Sequence, residues 1–570
     1  MSHDGQASFV PQNIGILLTL VFFIYVLLSA MFFTFLVRYI TGKLSAERVP
    51  TVVSIVALTV ASLPTGLIPI DVFVVGYMKN SSGQFQPWAS DMRDRHDFST
   101  TLLSAYYASY IATLFITFVI IPLAFFFHKT ETASSGRSRQ NVLPALCYTG
   151  LSLVILVVLL AIGGVVPTRD LPTPNSTLED QFRNMVEDLK TSELEDMFSF
   201  ALSIIRIVGI TLITAYVGVG MVLGPITHIR GYPDPRTELA CVRNRRIGIE
   251  REISDIQQTR VRMSPGVHQL PRSEAIRLLS LEHEDLDLRE REEQLKETIK
   301  HWLSPFVMVC RPTQICAGIV GLLVGLLIFV SLFMTNILRA MYSFGESVGY
   351  LMPTVEVLNP LDRFALSIQR VFPLDFIVLL FLVTFMILAA TSGFQKMGIG
   401  IPWIKQTYNI SPWKTKSRSL LVFTANLVLI LLAVDVLLLA LLPQYTTYSS
   451  QHYAACAENK SLAYPPLPTP LPDSAIQGEA LVLSRGTRDG ECSETVVIPC
   501  DWTAPEDQCV MTRIAVLWAR VCYKTWYFGA IFYCITWIFL IVIILEGCVA
   551  TFRPQHTSSS VTILPDLESS

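Results

Sequence analysis

Nine stretches of this chain are each apolar over about 20 residues or more, the length a helix needs to cross roughly 30 Å of hydrocarbon. They run approximately from Asn13 to Val37, Val49 to Val75, Leu102 to Phe127, Leu143 to Val166 and Phe198 to Leu223. The remaining four run from Thr313 to Leu338, Pro373 to Gly393, Leu420 to Leu442 and Trp526 to Ala550. Lipid offers no partner to a free N–H or C=O, and no barrel-like alternation occurs, so each stretch is read as a helix. Of the 570 residues 51% are hydrophobic and 16% charged, against about 25% charged in a soluble domain. The expectation is an all-α polytopic membrane protein embedded in a lipid bilayer. The second span carries Pro64, Pro69 and Asp71, which predict a kink there.

Loop charges set the orientation. The first twelve residues hold no Lys or Arg, whereas Arg38, Lys43 and Arg48 follow the first span. That order inserts the N-terminus on the lumenal side, and nine spans then leave the C-terminus cytosolic. The large loop after span five falls on the cytosolic side and is rich in Lys and Arg, as the positive-inside rule requires. Three glycosylation sequons, at Asn80, Asn175 and Asn459, fall on the lumenal side, and a fourth at Asn409 does not.

These signals divide the chain into spans one to five (1–225), a cytosolic loop (226–311), spans six to eight (312–443), a lumenal loop (444–523), span nine (524–551) and a disordered cytosolic tail (552–570). In the cytosolic loop, Ile249, Ile253 and Ile256 recur at helical spacing. Leu281, Leu288, Leu295 and Ile299 follow a heptad-like pattern beyond Pro265, Gly266 and Pro271. A helical hairpin is expected. Its second arm contains Glu274, Leu278 and Leu279 in the spacing of an acidic dileucine signal read by clathrin adaptors. The bland alternative, that the two leucines pack in the hairpin, is favoured, because adaptors need an extended segment. The lumenal loop holds Cys456, Cys492, Cys500 and Cys509 in an oxidising compartment. Four cysteines allow three pairings, and Cys500 with Cys509 is the preferred one. Pro465, Pro466, Pro468, Pro470 and Pro472 predict an irregular, disulfide-stapled lid.

Charges inside the spans point to function, since each costs about 2.5–3.5 kcal/mol at the bilayer centre on insertion scales. Asp71, Arg206, Asp375, Asp435 and Glu546 are the five. All but Glu546 fall in the lumenal half, so Arg206 is expected to pair with at least one aspartate in a polar chamber opening to that side, a candidate substrate or ion pathway. The alternative is that each charge marks a helix end and reaches the headgroups.

The chain lacks a phosphate-binding G-x-x-x-x-G-K-[ST] loop, a G-x-S-x-G elbow and an H-E-x-x-H zinc motif, and its nine histidines show no metal-ligand spacing. No enzyme activity, resident metal or tightly bound cofactor is expected. A net charge of −3 gives no reason to expect nucleic acid.

Ile70-Asp71-Val72-Phe73-Val74-Val75-Gly76-Tyr77-Met78-Lys79-Asn80 and Val371-Phe372-Pro373-Leu374-Asp375 resemble segments of the limb-region-1 family of polytopic membrane proteins, in its branch concerned with lysosomal cobalamin transport. So do Pro443-Gln444-Tyr445, Gln451-His452-Tyr453 and Ala504-Pro505-Glu506-Asp507-Gln508-Cys509, in the same order along the chain. The resemblance implies a glycosylated lysosomal membrane protein needed for cobalamin to leave the lysosome, with cobalamin as cargo and an ABC-type transporter as partner. It also implies a link to clathrin-adaptor-mediated uptake, and so the plasma membrane as a second address. It carries over no cobalamin-binding residue and leaves self-association into a homo-oligomer open.

Overall fold

The computed structural model describes residues 14–41, 48–80, 82–133, 142–166, 193–231, 235–262, 272–300, 311–352, 359–369, 371, 373–401, 404–408, 410–412, 415–456, 495–501, 504 and 508–552. Among these, nine helices are long and apolar enough to cross a membrane, at Gly15–Thr41, Arg48–Tyr77, Met92–Phe127, Pro144–Val165, Glu193–Arg230, Pro312–Tyr342, Leu374–Met397, Ser417–Leu441 and Trp526–Thr551. Each coincides with one of the nine apolar stretches, and the protein is an all-α multi-pass membrane protein.

In chain order the helices begin with α1 (Ile14–Thr41), α2 (Arg48–Ala61), α3 (Leu63–Tyr77), α4 (Met92–Phe115), α5 (Ile121–Ala133) and α6 (Val142–Val165). They continue with α7 (Glu193–Leu212), α8 (Gly218–Arg230), α9 (Pro235–Arg262), α10 (Arg272–Lys300), α11 (Arg311–Tyr342) and α12 (Pro360–Ile368). The last are α13 (Leu374–Met397), α14 (Ser417–Leu441), α15 (Pro443–Thr447), α16 (Arg513–Lys524) and α17 (Trp526–Phe552). Four short strands, β1 (Ile399–Ile401), β2 (Ile404–Tyr408), β3 (His452–Cys456) and β4 (Thr495–Pro499), form two antiparallel pairs, β1 with β2 and β3 with β4.

The chain divides into two compact units, Met1–Leu223 with Val324–Ser570, and Gly224–Leu323. In the first, α14 is the hub. It is predominantly apolar and buried around most of its circumference, and touches α1, α2, α3, α5, α7, α13 and α15, as expected of a helix at the centre of a bundle. The second span breaks between α2 and α3 at Ser62, with Pro64 in the first turn of α3. The run after that break, from Pro64 to Gly76, is buried throughout. Short π-helical turns at Ile116–Ile120 and Ile213–Val217 interrupt the third and fifth spans.

In the second unit α9 and α10 pack together with Ile249 and Leu281 buried. Arg245 binds Glu284 at 3.1 Å and Arg277 binds Glu252 at 2.8 Å. Low numbers meet high ones, so the two arms are antiparallel. Arg243, Arg246 and Lys296 surround the Glu292 carboxylate. These cations, Lys296 first, hold Glu292 below the usual glutamate range.

The lumenal-loop expectation needs correction. The segment 444–523 is not irregular throughout: α15 and β3 open it, and β4 and α16 close it. The five clustered prolines lie outside the described residues, and the flanks they do not reach fold regularly. His452 to Cys456 and Thr495 to Pro499 pair residue for residue. Thr512 caps α16 by accepting from the Ala515 N–H, and the helix has one strongly apolar face. The disulfide joins Cys500 and Cys509. The Cys456 side chain and Cys492 lie outside the described residues.

Candidate functional site

Asp435 sits in the second half of α14, fully buried. A carboxylate there needs partners, because an isolated ion in a low-dielectric interior is costly. It has three. Its Oδ2 accepts from Arg206 Nη2 of α7 at 2.7 Å and from Tyr110 Oη of α4 at 2.5 Å, and its Oδ1 accepts from the Val436 N–H at 2.8 Å. Arg206 Nη2 also donates to Tyr110 Oη at 2.7 Å, and its guanidinium lies 4.9 Å from the centre of that ring. Three spans are thereby tied at one point.

Gly209 explains how Arg206 comes so close. It follows Arg206 by three residues, on the same face of α7, and a Cβ at Gly209 would meet the Leu429 carbonyl and lie 2.8 Å from Ala433 Cβ, both on α14. The absent side chain lets the two helix backbones approach, as small residues do between transmembrane helices.

A tyrosine ladder leads from this pair toward Asp71. Tyr106 stacks on Tyr110 with ring centres 6.2 Å apart and lies within the field of both Asp71 and Asp435. Asp71, in α3, is 1% exposed. Its Oδ2 accepts the Ile514 N–H at 3.1 Å, so a residue of a span holds the first turn of α16. Asp71 thus has a positioning task that the sequence did not disclose.

Asp375 belongs to a different cluster. It lies in the first turn of α13, where a carboxylate favours the free N–H groups, and its Oδ2 accepts from Tyr445 Oη at 3.3 Å. Tyr445 is in α15, and its own N–H and that of Gln444 donate to Asp362 at 3.0 and 3.1 Å. Asp362, 2% exposed and outside the spans, is pushed up to about 7 by burial, against the lowering effect of those two N–H bonds. Gln451 completes this side, donating to the Val75 carbonyl at 2.6 Å and the Val510 carbonyl at 3.2 Å while accepting the Val510 N–H at 3.1 Å.

The four residues assigned to a pathway are therefore split. Arg206 and Asp435 pair directly, Asp71 stands at the end of their tyrosine ladder, and Asp375 joins Tyr445 and Asp362. All four are buried. Glu546 is only half-buried. Tyr110 and Asp362 are the residues sequence reasoning missed. Tyrosine in a span is unremarked by hydropathy, and Asp362 lies outside every apolar run.

Among the other candidates, Asn80 is exposed, and its Oδ1 accepts from Ser82 Oγ of its own sequon at 2.6 Å. Asn175, Asn409 and Asn459 lie outside the described residues. Residues 274–279 are part of α10, with Leu279 67% exposed and Leu278 half-buried. Among the described residues no cluster of His, Cys, Asp and Glu could hold a metal ion.

The family model described as "LMBR1-like membrane protein" matches residues 14–304. The "Probable lysosomal cobalamin transporter" of Nematostella vectensis is 31% identical over 537 residues, 94% of each chain. The "Lysosomal cobalamin transport escort protein LMBD1" of Gallus gallus is 31% identical over 527 residues, 91% of this chain and 90% of the relative. Its namesake in Mus musculus is 30% identical over 509 residues, 89% of this chain and 88% of the relative. No solved structure matches. With nine spans in place, a family match over more than half its length and relatives aligned nearly end to end, this chain belongs to the LMBR1-like family of membrane proteins.

Proposed function

We propose that this protein serves the export of cobalamin from the lysosome to the cytosol, as the escort of an ABC-type transporter rather than as the conduit. The observation that carries the reading is the alignment of about nine-tenths of both chains with relatives named for that role. Two features of this chain support escort over conduit. It has no phosphate-binding loop with which to use ATP. Two of its intramembrane charges, Arg206 and Asp435, pair with each other inside the bundle, which favours a rigid scaffold. In this reading the N-terminus and Asn80 are lumenal, and no chemistry is performed on the cargo.

The deciding experiment is cobalamin efflux from proteoliposomes with an acidic interior. The purified protein alone should give none, and addition of an ABC-type partner with ATP should restore it. Efflux by this chain alone, lost in Asp435→Asn, would make it the conduit and end the escort reading. Endocytic adaptor function is the second reading, favoured by the exposure of Leu279. Its helical setting weighs against it, and Leu278→Ala with Leu279→Ala should leave adaptor binding unchanged. Lumenal Asn80 is checked by an Asn80→Gln variant that loses one N-glycan's worth of mass.

A further inference from the structure

One cavity of the first unit is not used by the ion pair or by the Asp375 cluster. It measures about 50 Å³, well above the roughly 10–15 Å³ that a single water requires. Its wall includes Arg339, Tyr350, Leu439, Trp518, Ala519 and Phe532. Three aromatic faces and one guanidinium around a void form an unusual lining for a membrane bundle, where a cation normally has a counter-charge.

Arg339 stands in the last turn of α11, half-buried. Among the described residues its side chain makes no ion pair and no hydrogen bond, and its backbone carbonyl accepts the Ser343 N–H at 3.2 Å. The other arginines packed in this unit are engaged: Arg206 with Asp435, and Arg520 with Tyr107 at 3.0 Å. Arg339 instead lines the cavity.

The loop that closes the cavity is held in a shape that costs energy. Tyr350 has φ of +58° and Gly349 of +62°. For a tyrosine that conformation is uncommon and strained, of the kind that collects at binding sites. The surroundings hold it there. Tyr350 N–H donates to the Gly345 carbonyl at 3.0 Å, and its ring stacks on Tyr533 of α17 at 4.4 Å. The opposite wall is equally fixed, because Leu439 is one helical turn beyond Asp435 on α14 and Ala515 follows the residue that Asp71 anchors.

We propose that this cavity is an oxyanion site, with Arg339 as its cation and Trp518 and Phe532 as the walls for the apolar body that carries the anion. The chemical class is a phosphate or phosphodiester. Guanidinium offers two parallel donors to such a group, and charge-assisted bonds of that kind are about twice as strong as neutral ones. A lipid headgroup and a soluble molecule both bring the same oxygens to the same donors. The site does not depend on the cargo proposed above.

The test uses the full-length protein in detergent and reads binding by thermal midpoint and by calorimetry. The probes are inorganic phosphate and micelles containing a short-chain phosphatidylglycerol, each against chloride of equal ionic strength. At saturation either probe should raise the midpoint by about 2–3 °C. Arg339→Gln should weaken binding by about 10- to 100-fold, and Arg339→Lys should recover part of it. Ala519→Val keeps the arginine and fills the void, so it too should abolish the effect, and it guards against loss of fold in the arginine variants. A response to free phosphate assigns the site to a soluble ligand, and a response to the lipid alone assigns it to the membrane. No response to either probe overturns the proposal. So does an undiminished response in Ala519→Val, which would reduce Arg339 to an ordinary headgroup-facing arginine.

Discussion

The protein uses charge in two opposite ways. In the first unit the pair Arg206–Asp435 is sealed in the bundle with 5% and 1% of the side chains exposed. In the second, the α9–α10 hairpin carries many pairs, of which Arg245–Glu284 and Arg277–Glu252 lie largely in water. A buried pair contributes little net stability when intact but is strongly destabilising when one partner is removed, because the survivor is left without compensation. Exposed pairs are each worth about 0–1 kcal/mol and forgive the loss of any one. In the bundle the Arg206–Asp435 contact therefore has no substitute, whereas the hairpin rests on the sum of several interchangeable ones.

The largest effect expected is at the bundle. Asp435→Leu should destabilise the protein by about 3–5 kcal/mol, measured as a loss of thermal midpoint in detergent. Adding Arg206→Leu should restore much of it. If the double variant is no better than the single, the pair is not the source of the cost.

A second test uses pH. Asp362 has its folded pKa raised to about 7 by burial, above the ordinary aspartate value near 3.9. Its contribution is complete below the unfolded value and is lost as pH rises through about 7. Stability should therefore fall between pH 5 and pH 7.5 by up to about 2–3 kcal/mol. Asp362→Asn should flatten that dependence, and an unchanged slope would assign it to another group. Glu292 in the hairpin has the opposite sign. Its lowered pKa contributes above the unfolded value and is lost as the solution is acidified. The two units should respond to acid in opposite directions, as read by proteolysis at sites in each.

Gly209→Val tests the close approach of α7 to α14. Overpacking of this kind costs about 1–3 kcal/mol, and here it should also weaken the Arg206–Asp435 contact, so its cost and that of Asp435→Leu should not add. The smallest effect belongs to the hairpin: Arg245→Ala should change stability by less than about 1 kcal/mol and become undetectable in high salt. A larger loss would mean the hairpin also depends on a single contact.

Spans were legible because lipid imposes one dominant rule, a continuous apolar run of fixed length. The pairing of Arg206 with an aspartate was legible for a related reason: a charge in such a run needs a counter-charge at its own depth. Tyr110 was hidden because nothing in a sequence tells a tyrosine aimed at a carboxylate from one that packs. Asp362 and Gln451 were hidden because they serve backbone groups of distant segments, and tertiary structure alone brings those together. The helix α16 was lost for a different cause. It has 12 residues and carries Arg520 and Lys524, too short and too charged for a span. Its buried charges are met by Tyr107 and by Asp196, the latter at 2.6 Å, partners that no local pattern reveals.

The order in which the pair is made has a consequence for biogenesis. Arg206 leaves the ribosome first, and Asp435 follows 229 residues later. At roughly 5–20 residues per second this leaves the arginine without its carboxylate for about 10–50 s. Throughout that interval the fifth span is a poor candidate for release into lipid and a good one for retention by the insertion machinery or a membrane chaperone. A nascent chain truncated before the eighth span never gains its counter-charge. Such fragments should be recognised by membrane quality control and degraded even though each of their helices is long enough to insert.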